Sequence, residues 1–401
     1  MRSGGRAGKC PVCGQTDTRE VTRYTAFPTF LFPMPMGQAQ KVARRNLVLH
    51  ACKGCEHYYQ PSIDMDLLET IYSDYYRNYP YDSDESMQVP YREPFNRIFK
   101  NVIGLNQFST RLRLLEIGCS KPENLQPFAE MGFDCSGIDP SPLLNQGKLD
   151  QDATIFHGYY ETTTLPQPFD VIVSRFNLEH IVDLQKVLGK MRDDLVPGGR
   201  VFVQVPNLAY YLSRQQPVFI AHEHVHYFSV KSLVQLFARF GFELIASDHK
   251  EQPSIVACFV KRQPKVEPGR FDCLPRFESY LSEISRRRSD LAEYLSSPER
   301  VVLYGCGLAL FWVLGMMSDA ATKQIILVDD NERFDGAYIP AYTIPVHHLS
   351  RVELAGRDTV LLTLNPIYHS RVLDRLRSLK RKLHVVSIQA DGLHKIELGQ
   401  M

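Results

Sequence analysis

Residues 111–141 contain the pattern that most limits the fold of this chain. The largely apolar run from Leu112 to Ile117 ends at Gly118, and a short helical stretch then leads to a second strand that ends in Asp139. A buried strand that stops at a glycine, followed by a helix and by a strand ending in a carboxylate, is typical of the first βαβ unit of a doubly wound parallel sheet. We therefore predict an α/β fold that binds its ligands at the carboxyl edge of the sheet.

The loop after the first strand differs from a dinucleotide-binding loop. Pyrophosphate sites use G-x-G-x-x-G because several backbone N–H groups must reach the phosphates, whereas this loop keeps Gly118 and is preceded by Glu116. A carboxylate there repels phosphate and suits a ligand with a cationic or amino group. Asp139 falls where the nucleotide fingerprint places an acid on ribose hydroxyls. The two acids suggest S-adenosylmethionine, and a strand and turn without any ligand is the alternative interpretation.

Later segments extend this sheet and carry a resemblance. Phe169 to Ser174 predicts a third core strand, and Val196-Pro-Gly-Gly-Arg200 predicts a tight turn into the strand from Val201 to Val205. This order of strands, carboxylate and turn resembles that of class I methyltransferases. The segments SRFNLEHIVDL, QVPN and HEHVHYFS resemble sugar C-methyltransferases, which methylate a keto-sugar nucleotide at carbon.

The resemblance implies the site residues. The cofactor S-adenosylmethionine is then held by Glu116, Gly118, Cys119, Ser120, Asp139, Pro140, Asn177 and Leu178. Carbon methylation next to a ketone needs a base, and neutral imidazole has suitable basicity. The resemblance assigns the base to His224, with Glu223 orienting its neighbours, His180 near the sugar oxygens, and hydroxyls from Tyr79 and Tyr81. Relatives carry tyrosine where this chain has Ala221, which predicts a different sugar, carbon or acid–base partner.

The histidine-rich segment allows two other interpretations. His222, Glu223 and His226 formally satisfy H-E-x-x-H, a zinc protease motif that requires a helix, but the preceding residues predict loop or extended chain. Extended chain would place His222, His224 and His226 on one side, because side chains alternate with a period of two. A three-histidine metal site is therefore a further alternative.

Two cysteine pairs near the start of the chain predict a structural zinc site. Cys10 and Cys13 form one C-x-x-C pair, and Cys52 and Cys55 form the other. Two such turns present four thiolates to one tetrahedral ion, which leaves no open position for catalysis. Unpaired thiols are the alternative, and His50 and His57 are possible substitute ligands.

A second α/β unit is predicted near the end of the chain. Val301 begins a strand that leads to Gly305-Cys-Gly307, and a later strand ends at Asp329. As a dinucleotide loop this one lacks a third glycine at Leu310, which argues against bound NAD. The unit resembles the C-terminal domain of sugar C-methyltransferases, which helps to hold the nucleotide sugar. We expect a zinc-binding domain at 1–75, a methyltransferase core at 76–262 and a Rossmann-like domain at 263–401.

The composition of the chain limits which binding partners and which cellular compartment we expect. The formal net charge is +1 over 401 residues, with both signs well mixed, so no basic footprint for nucleic acid or an acidic membrane is visible. No segment approaches the length of a membrane span, and nine cysteines in a chain this long are no disulfide scaffold. We expect a cytoplasmic monomer or small homo-oligomer.

The sequence as a whole predicts an S-adenosylmethionine-dependent C-methyltransferase that acts on a nucleotide-linked keto-deoxysugar. One alternative is an O- or N-methyltransferase on another small molecule, for which Ala221 is an argument. A zinc-ribbon protein that binds or methylates RNA fits the cysteine pairs but not the balanced charge. A cofactor-binding protein without catalysis is suggested by the degenerate loop Lys121-Pro122-Glu123.

Overall fold

In the part of the chain that the structure describes, the strands form three sheets, of four, seven and six strands. The computed structural model describes residues 8–75, 85–104, 111–141, 153–166, 168–213, 220–262, 300–314, 325–364, 366–389 and 392–398, with positions 279, 280, 282, 286, 290 and 291. The two larger sheets are mostly parallel, which confirms the predicted α/β class with a Rossmann-like core. Within these described residues, no helix is both long and apolar enough to cross a membrane.

The small N-terminal sheet is antiparallel and includes a strand from far along the chain. Its strands are β1 (Thr18–Pro28), β2 (Arg44–Cys52), β3 (Tyr58–Tyr59) and β9 (His226–Tyr227), in the order β1-β2-β3-β9. Helix α1 (Met36–Ala39) lies between β1 and β2 in the chain, and α2 (Met65–Thr70) continues into a π-helical turn, Ile71–Tyr75. Asp64 caps α2 by accepting a hydrogen bond from the backbone N–H of Leu67.

The seven-stranded sheet has the predicted doubly wound arrangement. Its strands are β4 (Arg113–Ile117), β5 (Asp134–Asp139), β6 (Thr154–His157), β7 (Phe169–Arg175), β8 (Leu195–Pro206), β10 (Phe242–Asp248) and β11 (Ser254–Lys261), in the order β10-β11-β8-β7-β4-β5-β6. Strands β4 to β8 are parallel, and β11 and β10 form an antiparallel hairpin at one edge. The order reverses between β4 and β7, so their carboxyl ends open the crevice where such sheets bind ligands.

Strand β8 begins earlier than the sequence predicts. Phe169 pairs with Leu195 and Val171 pairs with Arg200, so the residues between Leu195 and Arg200 form a bulge inside the strand. Gly198 has a φ of +74°, a conformation that glycine adopts without steric cost. The predicted turn is therefore a local expansion of one strand, because pairing with β7 continues on both sides of it.

Helices pack on both faces of this sheet. They are α3 (Glu85–Ile103), α4 (Gln126–Glu130), α5 (Leu184–Asp194) and α7 (Val230–Ala238), whereas α6 (Leu208–Ser213) packs with residues of the small sheet. Phe95 and Phe99 of α3 and Phe128 of α4 pack with Phe202 of β8, and the rings of Phe99 and Phe202 lie 4.7 Å apart. Aromatic packing of this kind fixes the loop after β4 between two elements of the core.

The C-terminal sheet follows the same parallel plan. Its strands are β12 (Val301–Tyr304), β13 (Ile326–Asp329), β14 (Val346–His348), β15 (Thr359–Leu362), β16 (His384–Gln389) and β17 (Gly392–Ile396), in the order β14-β13-β12-β15-β16-β17. Only β17 is antiparallel to its neighbour among these strands. Helices α8 (Leu308–Leu314) and α9 (His369–Ser378) accompany them.

Candidate active site

The turn after β4 brings backbone to the carboxyl edge of the sheet. Gly118 has a φ of +77°, and a Cβ atom there would lie 2.7 Å from Cγ of Asn177. Its N–H donates to the carbonyl of Ile138 at 2.9 Å. A side chain at Gly118 would therefore displace Asn177 or the turn, which explains the glycine in physical terms.

Asp139 is fixed at the end of β5 by two backbone donors. Its carboxylate accepts from the N–H of Ser120 at 2.8 Å and from the N–H of Ser141 at 2.7 Å. Burial raises the pKa of Asp139, and these two hydrogen bonds act in the opposite direction. The carboxylate is held rigidly at the edge of the crevice, with lone pairs left for a further donor.

The predicted cofactor residues divide into two groups. Glu116, Gly118, Ser120, Asp139, Pro140 and Asn177 line the crevice. The side chains of Cys119 and Leu178 are fully buried beneath the loop. Cys119 packs against β5, since its Sγ would lie 2.7 Å from a Cβ built on Gly137. These two side chains support the loop from inside the core.

Glu116 has a partner that the sequence analysis missed. Nε of Arg175 donates to Oε1 of Glu116 at 2.7 Å, and the guanidinium carbon lies 5.3 Å from the ring centroids of both Phe95 and Phe128. Burial raises the pKa of Glu116, and the charge of Arg175 opposes this change. Glu116 is therefore an ion-paired carboxylate, a compensation that the sequence analysis did not predict. Its Oε2 has no hydrogen-bond partner among the described residues.

The histidine-rich segment is not helical, and its three histidines point to three different places. Nε2 of His222 lies 3.3 Å from the carbonyl of Phe27. The ring of His224 lies 4.9 Å from that of His180, and Nδ1 of His226 lies 3.1 Å from Nε2 of His57. Both alternatives for this segment, the zinc protease motif and the three-histidine metal site, are wrong, because a turn at residues 222–223 replaces the regular helix or strand that each requires.

This segment, residues 221–227, is called the histidine loop below. On the N-terminal side, the buried side chain of Gln60 makes several of the contacts that hold this loop. Nε2 of Gln60 donates to the carbonyls of His222 at 2.9 Å and His224 at 2.8 Å, and it lies 3.3 Å from that of Ala221. The backbone N–H of Gln60 donates to the carbonyl of Val225 at 2.9 Å. One residue of the N-terminal module thus contacts four of the backbone carbonyls of the loop.

The core holds the histidine loop from the other side. The N–H of Val225 donates to the carbonyl of Glu179 at 2.8 Å, and Nδ1 of His180 lies 3.0 Å from the carbonyl of Glu223. A carbonyl can only accept, so His180 carries its proton on Nδ1. Its Nε2 is then unprotonated and carries a lone pair, and this atom lies 3.9 Å from Oε1 of Glu179.

Burial without compensating cations sets the protonation of this cluster. Burial, with a smaller effect of His224, lowers the pKa of His180 to about 3. Burial also raises the pKa of Glu179 to about 8 and that of Glu223 to about 7. Oε2 of each glutamate lacks a hydrogen-bond partner within the described part of the chain. Both Oε2 atoms are therefore buried polar atoms whose hydrogen bonds a bound ligand could complete.

The crevice and the histidine loop belong to one cleft of about 2090 Å³. Asp139 lies at one part of its wall, and His180, Glu223 and His224 lie at another. The C-terminal sheet closes the third side with Gly305 and neighbouring residues. Glu179, His180 and His224 also place one ligand atom each within 4.8 Å of one another, a spacing that a cation could bridge. Tyr79 and Tyr81 lie outside the described residues. Tyr72, which precedes them in the chain, has its ring centroid 6.2 Å from that of His180.

The two predicted cysteine pairs come together in one cluster of four thiols. Sγ of Cys10 lies 3.5 Å from Sγ of Cys55, Sγ of Cys13 lies 3.5 Å from that of Cys52, and all four lie within 4.8 Å of one another. Thiolates around tetrahedral zinc are about 3.8 Å apart, so the set fits this ion. A hydrogen bond from Cys55 lowers the pKa of Cys10 to about 5. His50 and His57 are absent from this cluster of ligand atoms.

Comparison with known families gives the class of the central domain. Residues 84–247 match the family described as a methyltransferase domain, which is less than half of the chain. The central part of the chain is therefore similar to a methyltransferase domain, and its sheet has a Rossmann-like α/β fold.

Individual relatives match part of this chain, and each match covers part of the relative. The chain is 31% identical over 138 residues to the C-methyltransferase NovU of Streptomyces niveus, a third of each protein. It is 31% identical over 114 residues to the ubiquinone biosynthesis O-methyltransferase of Bradyrhizobium sp. strain ORS 278, which covers 27% of this chain and 45% of that protein. The chain thus spans less than half the length of either relative.

A solved structure resembles part of the chain. The 1,6-didemethyltoxoflavin-N1-methyltransferase of Burkholderia thailandensis aligns with a TM-score of 0.40 and 16% identity, over 53% of this chain and 98% of that one.

Proposed function

We propose that this protein is an S-adenosylmethionine-dependent methyltransferase. The observation that carries the proposal is the pair of features at the carboxyl edge of the central sheet: the Gly118 turn and the rigid Asp139 carboxylate. The match of residues 84–247 to a methyltransferase domain supports the same conclusion. The cofactor supplies, when bound, an electrophilic methyl group on a positively charged sulfur.

The residues at the crevice fit the parts of this cofactor. Asp139 would accept hydrogen bonds from the ribose hydroxyls, as acids at this position of the fold do. Oε2 of Glu116 would accept from the amino group, because this buried oxygen has no other described partner. Arg175 would pair with the carboxylate of the methionine part, since its guanidinium lines the same cleft.

We further propose that the reaction is C-methylation of a nucleotide-linked keto-deoxysugar. His224 would remove a proton from the carbon next to the ketone, and the C–H electron pair would form the enolate while the imidazole becomes cationic. His180 and Glu223 would contact the sugar oxygens, with hydroxyls from Tyr79 and Tyr81. That carbon would then form the new C–C bond as the S–CH₃ bond breaks, its electron pair remaining on sulfur. The relative NovU is named as a C-methyltransferase, which supports carbon as the acceptor.

We propose a separate binding role for each of the three domains. The N-terminal module, proposed at 1–75, would bind one structural zinc through Cys10, Cys13, Cys52 and Cys55. The core at 76–262 would bind the cofactor, and the domain at 263–401 would help to bind the nucleotide. We propose a small-molecule substrate and not a nucleic acid, because the formal net charge of +1 provides no basic surface. A monomer or small homo-oligomer remains the expected state.

A second candidate is O-methylation of another small molecule. The ubiquinone biosynthesis O-methyltransferase of Bradyrhizobium sp. strain ORS 278 has the same identity to the matched part of this chain as NovU, 31%. Ala221 favours this candidate, because sugar C-methyltransferases carry a tyrosine at the corresponding position.

Deuterium exchange separates the two candidates. The protein would be incubated in D₂O with S-adenosylhomocysteine and a panel of keto-sugar nucleotides. Exchange at the carbon next to the ketone is expected for C-methylation, since it reports proton removal before methyl transfer. Methyl transfer to a hydroxyl without such exchange would instead establish O-methylation. Failure of the protein to bind S-adenosylhomocysteine would overturn the methyltransferase proposal itself.

A further inference from the structure

Two short segments bring three side chains of metal-binding types to one wall of the cleft. Glu179 and His180 lie in a 3₁₀ turn shortly after β7, and His224 lies in the histidine loop. One ligand atom of each lies within 4.8 Å of the other two, and all three residues line the cleft. These three residues are called the cleft triad below.

His180 is oriented as a metal ligand. Its Nδ1 donates to the carbonyl of Glu223 at 3.0 Å, and histidines that bind metals commonly donate their second N–H in this way. The lone pair is therefore on Nε2, which lies 3.9 Å from Oε1 of Glu179. Two ligand atoms about 2.1 Å from a tetrahedral ion lie about 3.4 Å apart, so a small side-chain rotation closes this pair around an ion.

Glu179 is a buried carboxylate without a compensating cation in the described part of the chain. Its side chain is 2% exposed, and its Oε2 has no hydrogen-bond partner among the described residues. By contrast, Arg175 pairs with Glu116 at 2.7 Å. Buried carboxylates in proteins are normally paired with a cation or bound to a metal ion. An ion in the cleft triad would supply the positive charge.

Backbone hydrogen bonds hold both segments of the triad in place. The N–H of Val225 donates to the carbonyl of Glu179 at 2.8 Å, which ties the histidine loop to the 3₁₀ turn. Nε2 of Gln60 donates to the carbonyl of His224 at 2.8 Å. Because these contacts fix the backbone on both sides, an ion would meet its ligands with little rearrangement of the chain.

We propose that the cleft triad binds one divalent transition metal ion, such as Zn²⁺, at a second metal site separate from the cysteines. Two imidazoles and one carboxylate favour such an ion over Mg²⁺ and Ca²⁺, which prefer oxygen ligands. Three protein ligands leave a coordination position open toward the cleft. The site fills when the ion is added to the purified protein.

The ion would inhibit the reaction. It binds the lone pair of His224, and this residue then has no lone pair with which to remove a proton. This consequence rests on the proposed function, whereas binding of the ion does not.

A cobalt titration tests the site on the zinc-loaded protein. Zinc at the cysteines stays in place, and Co²⁺ is added while its visible absorption is followed. We expect one Co²⁺ per chain, bound through nitrogen and oxygen. Glu179→Gln should weaken this binding at least about 100-fold, because losing a group that merely orients a ligand already costs about 10- to 100-fold.

His222→Ala is the matched control. It removes a histidine of the same loop whose Nε2 lies 3.3 Å from the carbonyl of Phe27, so Co²⁺ should bind as it does to the unaltered protein. If Glu179→Gln does not fold, His224→Ala takes its place with the same expected loss. Four results would overturn the site: no bound Co²⁺, absorption typical of thiolate-bound Co²⁺, full binding in Glu179→Gln, or loss of binding in His222→Ala.

Inhibition is measured separately from binding. Deuterium exchange from the keto-sugar nucleotide should fall in proportion to the fraction of protein that holds Co²⁺, while the affinity for S-adenosylhomocysteine stays within about twofold. If exchange continues with the ion bound, the inhibition is wrong and the metal site stands. If Co²⁺ binds but S-adenosylhomocysteine does not bind even before the ion is added, the proposed methyltransferase function falls and the metal site stands.

Discussion

Three buried glutamates in the cleft differ in whether a cation compensates their charge. Glu116 is paired with Arg175 at 2.7 Å, whereas Glu179 and Glu223 have no cationic partner among the described residues and acquire pKa values of about 8 and about 7 through burial. The first glutamate is thus part of an ion pair, whereas near neutral pH Glu179 is mostly protonated and Glu223 is about half protonated. An ion suits a charged cofactor, and a neutral acid can donate a hydrogen bond.

The ion pair at the cofactor turn gives the first prediction. Arg175→Met removes the cation and leaves Glu116 buried and unpaired, which should lower the free energy of unfolding by about 3 kcal/mol. Adding Glu116→Gln should restore most of this loss, because no buried charge then remains. Chemical denaturation of both variants measures the difference. A double variant no more stable than Arg175→Met would show that the loss comes from packing on Phe95 and Phe128.

Glu179 gives a prediction about pH. Its pKa is about 4.5 in the unfolded chain and about 8 in the folded protein, so the folded state keeps a proton that the unfolded state releases. This contribution is complete below pH 4.5 and is lost as pH rises to 8, by on the order of 1 kcal/mol per pH unit. Glu179→Gln should therefore unfold with a flatter dependence on pH over this range. The exposed-site control Glu353→Gln should follow the unaltered protein, and identical slopes for all three would refute the assignment.

His224 gives the residue-scale prediction for catalysis. His224→Ala should reduce methyl transfer and deuterium exchange by about 100-fold or more, because it removes the general base. The affinity for S-adenosylhomocysteine should stay within about twofold, since the histidine is not assigned to the cofactor. His384→Ala, at an exposed strand position, is the control. Full exchange activity in His224→Ala would move the base to another residue.

At the scale of elements, the histidine loop lies between two parts of the molecule. Strand β9 pairs with β3 of the small sheet, so that Tyr59 lies opposite His226. Glu179 and His180 of the core bind the same loop from the other side. Gln60 follows β3 directly and bonds three carbonyls of the loop. The position of His224 therefore depends on the N-terminal module, which lies more than 160 residues away in sequence.

Gln60→Met tests this dependence. Methionine keeps the length of the side chain and removes its N–H donors, so the loop should lose its orientation. We expect kcat to fall about tenfold or more with little change in the affinity for S-adenosylhomocysteine. Gln38→Met, on the exposed helix α1, is the matched control. Unchanged kcat in Gln60→Met would show that the core alone positions the loop.

At the scale of the whole molecule, the cysteine cluster joins the module to the core. Cys10, Cys52 and Cys55 share one hydrophobic cluster with α5 and α7 residues of the core, including Leu188 and Phe237. Nε2 of Gln185 donates to the carbonyl of Pro11 at 2.6 Å. A metal held by the cysteines would therefore stabilise both the module and the contact that supports β3 and β9.

Zinc content is the corresponding prediction. The purified protein should contain about one zinc per chain, and Cys52→Ser should contain none, because three thiolates bind far more weakly. Elemental analysis measures both. Cys135→Ser, which alters a buried cysteine of β5, should keep its zinc. Zinc retained in Cys52→Ser would place the ion elsewhere, for example at Glu179, His180 and His224.

The amino-acid sequence by itself determined the α/β class, the strand and glycine turn that end at Gly118, the acid at Asp139 and the two cysteine pairs. These features are local, because alternation, turn residues and short spacings act between neighbours in the chain. Only the tertiary structure decided that Arg175 neutralises Glu116, that the histidines separate, and that Gln60 holds the loop. Those contacts join residues 59 to 164 positions apart through strand register and packing, which no local pattern encodes.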